Sequence, residues 1–260
     1  MTTSSSSTGT ADRATRYQRL NRFNWAIGTI HLVQAIVLVV LSNEFALPVF
    51  AFFLSDDPVA QEGLGQPELL FTIRMGFAVA LFVLFAAADH LLMAGPLRRW
   101  YEGRLDVRAN TARWVEYSIS SSIMVVLIAQ LTGIWDLAAL VAIFAVNTSM
   151  ILFGLVMERR EEPETADWTA YWSGTFAGLV PWVLLGYYIL AAGGEVPGFV
   201  YVIYIVQFVL FFTFALNMWL QYKQIGKWRD YIYGEYAYII LSLAAKTLLA
   251  WLVFANVLRS

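Results

Sequence analysis

Residues 236–258 read YAYIILSLAAKTLLAWLVFANVL. The stretch exceeds the roughly 20 apolar residues that cross a bilayer, and Lys246 is its one charged residue. At 1.5 Å per residue the lysine lies ~15 Å from either end, near the midplane. Its stem reaches only part of the way to water. A central lysine costs at least ~2.5–3.5 kcal/mol on insertion scales, so something offsets it or uses it. A structural ion pair inside a bundle meets that requirement. So does a chemically used amine, because desolvation favours the neutral, nucleophilic form that attacks aldehydes. Ser242, four residues earlier, shares its helix face.

Outward from this stretch, the rest of the chain is of the same kind. It has 260 residues, is 59% hydrophobic and only 14% charged, far below the quarter of charged residues usual in soluble domains. Six further segments read as spans: 23–43, 69–94, 110–133, 136–157, 168–192 and 198–222, with the seventh at 235–257. The fold class is therefore an all-α seven-helix membrane bundle. Residues 1–22 form a polar arm, disordered at its start, 23–257 the membrane domain, and 258–260 a short tail. A net charge of −2 gives no reason to expect a nucleic-acid partner. Cysteine is absent and histidine occurs only at His31 and His90, too few ligands for a membrane metalloenzyme. No metal site and no enzyme are expected.

Arginine and lysine set the orientation. Arg13, Arg16, Arg19 and Arg22 precede the first span; Arg98, Arg99, Arg104 and Arg108 follow the second. Arg159 and Arg160 follow the fourth, and Lys223, Lys227 and Arg229 the sixth. The opposite loops contain neither residue type. The N-terminus is thus expected in the cytoplasm and the C-terminus outside, in a multi-pass plasma-membrane protein. The long outer loop 44–68 contains FALPVFAFF (45–53), suited to a short strand or hairpin that caps the bundle or binds a partner.

Glu116, in RWVEYSISSSIMVVL (113–127), is the natural partner for the lysine. A buried carboxylate stays ionised only beside a cation, and Lys246 and Arg113 are the two candidates. Ser120 and Met124 continue the face of Glu116 at four-residue steps. His31 reads as an interhelical hydrogen-bonder with Gln34 one turn on, Asp89 and His90 as interfacial groups, and Arg74 as a snorkelling outer residue. The aromatic runs VPWVLLGYY (180–188) and VQFVLFFTF (206–214) either pack or line a slot for a flat apolar ligand, and Pro181 is a candidate bend.

A lysine in the seventh span and a carboxylate in the third resemble the plan of microbial retinal proteins. RWVEYSISSSIMVVLIAQ (113–130), AIFAVNTSMILFG (142–154), VPGFVY (196–201), GKWRDYIYGEYAYIILSLAAK (226–246) and HLVQ (31–34) resemble heliorhodopsin in particular. The resemblance covers nearly everything beyond the first ~20 residues, an extent that suits a single domain, and implies the same N-inside orientation. It implies all-trans retinal bound to Lys246 as a protonated Schiff base, Glu116 as counterion, and Ser242, Ser120 and Arg113 as neighbours. It further implies Met124, Asn147, Met150, Pro181 and Phe211 as pocket residues, and His31, His90 and Asn110 as an internal proton network. A homodimer, a slow photocycle and a signalling role with an unidentified partner are implied too. Ion pumping is not, because Leu127 stands where related pumps carry a second carboxylate. A transporter or channel using a Lys246–Glu116 pair is the competing class.

Overall fold

The seven apolar segments become seven helices long enough to span a membrane in the computed structural model, which describes residues 5–53 and 66–259. A chain in lipid must satisfy its backbone groups internally, and helices do so segment by segment. The spans are α1 (Ser5–Leu41), α2 (Met75–Ala94), α4 (Thr111–Leu131), α5 (Leu137–Arg160), α6 (Thr169–Ala191), α7 (Gly198–Tyr222) and α8 (Tyr231–Val253). A π-helical turn, Phe254–Leu258, continues α8, and a short extra helix, α3 (Arg98–Asp106), joins α2 to α4. The chain is a multi-pass membrane protein.

Polar caps start three of the spans. Asn110 accepts from the Arg113 amide at 3.1 Å, Asp136 from Ala139 at 2.9 Å and Asp230 from Ile232 at 3.0 Å. Each satisfies a donor that the first helical turn leaves open. The helices pack in a ring, α1–α2–α4–α5–α6–α7–α8, closed by α8 against α1 and α2. The half of the interior away from the arginine-rich end is apolar, built on Leu38, Phe82, Val83, Leu127, Ile128 and Leu249, all fully buried or nearly so.

The segment FALPVFAFF does form a strand. β1 (Ala46–Phe52) pairs antiparallel with β2 (Pro67–Arg74), with a bulge between Val49 and Phe50. Phe50 donates its amide to the Trp135 carbonyl at 2.9 Å, laying the hairpin over the α4–α5 turn. Residues 54–65 of the outer loop lie outside the described residues. The second span therefore starts at Met75 rather than 69, because 67–74 is extended. Arg74 pairs with Glu44 and sits over the Phe77 ring at 4.6 Å, so it does more than snorkel.

Two further features depart from the sequence reading. The polar arm is helical from Ser5 onward, continuous with the first span. Salt bridges from Arg13 to Asp106 and from Arg16 to Asp230, with a Tyr17–Asp106 hydrogen bond of 2.5 Å, hold this extension on the bundle. And the loop after the second span contains α3, whose buried Tyr101 and Leu105 pack under α1 and α8.

Candidate functional site

Lys246 and Ser242 lie one turn apart on the inner face of α8, and Glu116 faces them from α4. Lys246 Nζ donates to Ser242 Oγ at 2.7 Å and to Glu116 Oε2 at 3.1 Å. It also stands 4.9 Å over the Tyr117 ring. Lysine and glutamate are 3% and 7% exposed, so the pair is desolvated. Burial of each ion costs several kcal/mol, which only tight pairing offsets. Two inter-helix bonds fix the register: Tyr117 donates to the Tyr238 carbonyl at 3.0 Å, and Gln207 on α7 to the Ala245 carbonyl at 3.0 Å.

The lysine, with Ser242 and Ala245 of α8, lines a cavity between α4, α5, α6 and α7. The non-atom space within it is about 910 Å³, including the part open to the outside. Its walls are apolar and aromatic. Met124, Met150 and Phe211 line it, and Trp182 meets Phe211 edge-on at 5.2 Å between ring centroids. Pro181 and Asn147 do not line it. Pro181 is buried beside Trp182 in a helix that runs on unbroken. Asn147 donates to Ser121 and Ser122 at 2.8 and 3.0 Å, and it is Ser121 that opens on the cavity. Ser120 is fully buried and makes no hydrogen bond among the described residues.

Arg113 departs most from expectation. It pairs with Glu158 and Glu235, and not with Glu116. Long helical side chains lean toward the helix N-terminus. From α4 that direction is away from Glu116, toward the last turns of α5 and the first of α8. There the guanidinium is forked between two carboxylates, an arrangement its planar donors favour. Glu158 also accepts from Trp114 Nε1 at 2.7 Å and from Tyr231 at 2.9 Å. Glu235 accepts from Asn110 at 2.6 Å and from Tyr101 at 3.1 Å. Burial and the adjacent Glu235 carboxylate hold the Tyr101 phenol well above its ordinary range, so it stays a proton donor. Asn110 thus belongs to this cluster rather than beside the histidines.

His31 and His90 stack at 6.1 Å, nearly parallel. His90 is 7% exposed and bonds Asn24 at 2.7 Å, so it is an interior group and not an interfacial one. His31 is fully buried and neither ring nitrogen is hydrogen-bonded among the described residues, so the interhelical bond expected of it is not formed there. Gln34 instead reaches Thr247 on α8 at 3.2 Å. Asp89 is half-buried on α2 and makes no ion pair among the described residues.

A family model described as Heliorhodopsin matches residues 20–258. No curated protein matches the chain in sequence. Among solved structures, cyanorhodopsin from the cyanobacterium Tolypothrix sp. NIES-4075 aligns over 91% of this chain and 94% of its own, with 17% identity and a TM-score of 0.60. A light-driven proton pump from Leptosphaeria maculans aligns over 91% and 95%, with 14% identity and a TM-score of 0.62. The light-driven proton pump of Coccomyxa subellipsoidea gives 91%, 96%, 17% and 0.63. At such identities these structures share the fold of this chain, the rhodopsin-type seven-helix bundle. The family match spans every helix of that bundle, the lysine of the seventh and the carboxylate of the third included, and on it the chain belongs to the heliorhodopsin family.

Proposed function

We propose that the protein is a light sensor that carries all-trans retinal on Lys246, with Glu116 as counterion, and that it signals rather than pumps. The observation that carries this reading is the Lys246 amine, buried between Ser242 and Glu116 in the lining of an aromatic-walled cavity. The residues suit the group: apolar walls would take a polyene, and Lys246 is the one cation among the described residues that line the cavity. Retinal bound to Lys246 would supply visible absorbance and a light-driven all-trans to 13-cis isomerisation about a carbon–carbon double bond of its polyene.

The remaining chemistry belongs to the chain. Glu116 balances the charge on the Lys246 nitrogen, and Ser242 accepts its hydrogen bond. The buried groups able to take up a proton lie toward the arginine-rich end: the histidine pair with Asn24, then the carboxylates around Arg113. Toward the other end the walls are Leu127, Ile128 and Leu249, with uncharged Gln130 and Gln207. Among the described residues a proton leaving Lys246 thus has buried acceptors on one side only, which favours a slow internal cycle over transport. We place the arginine-rich end in the cytoplasm of the plasma membrane, and take the working form to be a homodimer with an unidentified signalling partner.

The test is a visible spectrum after adding all-trans retinal. Wild type becomes coloured and Lys246→Ala does not. No colour in wild type leaves the transporter or channel reading in place. Uncoupler-sensitive light-driven pH change in a cell suspension contradicts the signalling role.

A further inference from the structure

We propose that the outward face of α3 is a docking surface for anionic phospholipid headgroups in the leaflet at the arginine-rich end. The helix starts four residues after Ala94, where α2 leaves the membrane. Tyr101 and Leu105 are buried, so its other face is turned out. That face presents Trp100, 46% exposed, and Leu97 and Val107 flank the two ends of the helix at 40% and 62%. Beside them stand Arg99, Arg104 and Arg108, and among the described residues no carboxylate pairs with any of the three.

An exposed tryptophan, two exposed aliphatic residues and arginines without a carboxylate partner, gathered on and at the ends of a short helix, match the headgroup zone of a bilayer. Aromatic rings prefer that depth, and apolar side chains sink while arginines stay at the phosphates. Among the described residues Arg19, Arg22, Arg159, Arg160 and Arg229 of this end likewise make no ion pair, but no exposed tryptophan of a short helix stands beside them as Trp100 stands beside Arg99. Arg13, Arg16 and Arg98 hold carboxylates, and Arg113 is buried. An acidic protein partner would use the arginines but leave Trp100, at the membrane end of α2, without a reason. The inference does not depend on retinal or on which leaflet this end faces.

Native mass spectrometry of the full chain, in mixed micelles with equal phosphatidylglycerol and phosphatidylcholine, tests the surface. Wild type retains phosphatidylglycerol preferentially. Each arginine near a charged leaflet contributes a factor of about five, so Arg99→Gln/Arg104→Gln lowers the preference by more than about tenfold. Arg99→Lys/Arg104→Lys keeps most of it, and Arg159→Gln/Arg160→Gln, an equal charge change at the same end, keeps all of it. Equal loss in both glutamine variants makes the preference one of bulk charge and overturns the proposal. Loss in the lysine variant assigns the arginines a structural role and overturns it as well. So does displacement of the lipid by millimolar inorganic phosphate, which points to a simple anion site, or the absence of any preference in wild type.

Discussion

Ser242 accepts from Lys246 at 2.7 Å, closer than the Glu116 carboxylate at 3.1 Å. The shorter contact is the weaker electrostatically, since only the carboxylate carries charge. Removing either group destabilises the ground-state cation and moves absorption to longer wavelength. The red shift is expected to be large for Glu116→Gln and small for Ser242→Ala, with the colour kept in both. Spectra of the two reconstituted variants check this, and the reverse order removes Glu116 as counterion.

Arg113 is 3% exposed and holds two buried carboxylates. Arg113→Met strands both, and breaking a buried pair from one side costs about 3–5 kcal/mol. Glu158→Gln leaves the arginine with Glu235 and is expected to cost less. Thermal loss of tertiary structure, followed by tryptophan fluorescence, should rank Arg113→Met well below Glu158→Gln and wild type. Comparable midpoints for all three contradict the shared-arginine arrangement.

Gly154 faces the Trp114 indole: a Cβ there would fall 2.4 Å from the ring. The indole is tethered by its bond to Glu158 at 2.7 Å and lines the cavity. Gly154→Ala therefore crowds the site and should lower the fraction of protein that colours at a fixed retinal concentration. Gly178→Ala meets the tip of Met150, a side chain that gives way easily, and should lower it less. The two coloured fractions, normalised to total protein, decide.

The pairs on the helical extension of α1 are partly exposed, with Arg13 at 57% and Arg16 at 40%. Exposed pairs contribute roughly 0–1 kcal/mol and weaken in salt. Arg13→Ala and Arg16→Ala should each shift the melting midpoint little, and less still in high salt. A shift as large as that of Arg113→Met shows that the extension bears on the bundle's stability.

Much of this molecule is visible in its sequence because a bilayer enforces simple rules. Lys246 stands out since few charges are tolerated at that depth, and Glu116 follows as the carboxylate facing it. The partner of Arg113 was hidden for two reasons. Glu158 reads as part of a charged loop until α5 is seen to run to Arg160, and spacing alone gives no lean to a side chain. The helical start of α1 was masked by serine and threonine, which composition reads as flexible. One signal was available and missed. Ala170, Gly174, Gly178 and Trp182 recur every four residues on α6, and all four line the cavity. Pro181 drew attention one position away from the residue that matters.

The helix that carries Lys246 is fastened to the first helix at three heights. Arg16 grips the Asp230 cap, Gln34 reaches Thr247 next to the lysine, and Asn43 donates to the Val257 and Leu258 carbonyls through its side chain and backbone. These contacts tie the two helices at separate points, while the main packing partner of α1 is α2. At 1.5 Å per residue, the 37 residues of α1 measure ~55 Å, well beyond a ~30 Å hydrocarbon core. Its first turns run beyond Arg13–Leu41, the part of the helix long and apolar enough to cross a membrane, and the cap of the lysine's helix is held by a segment outside that span's apolar stretch.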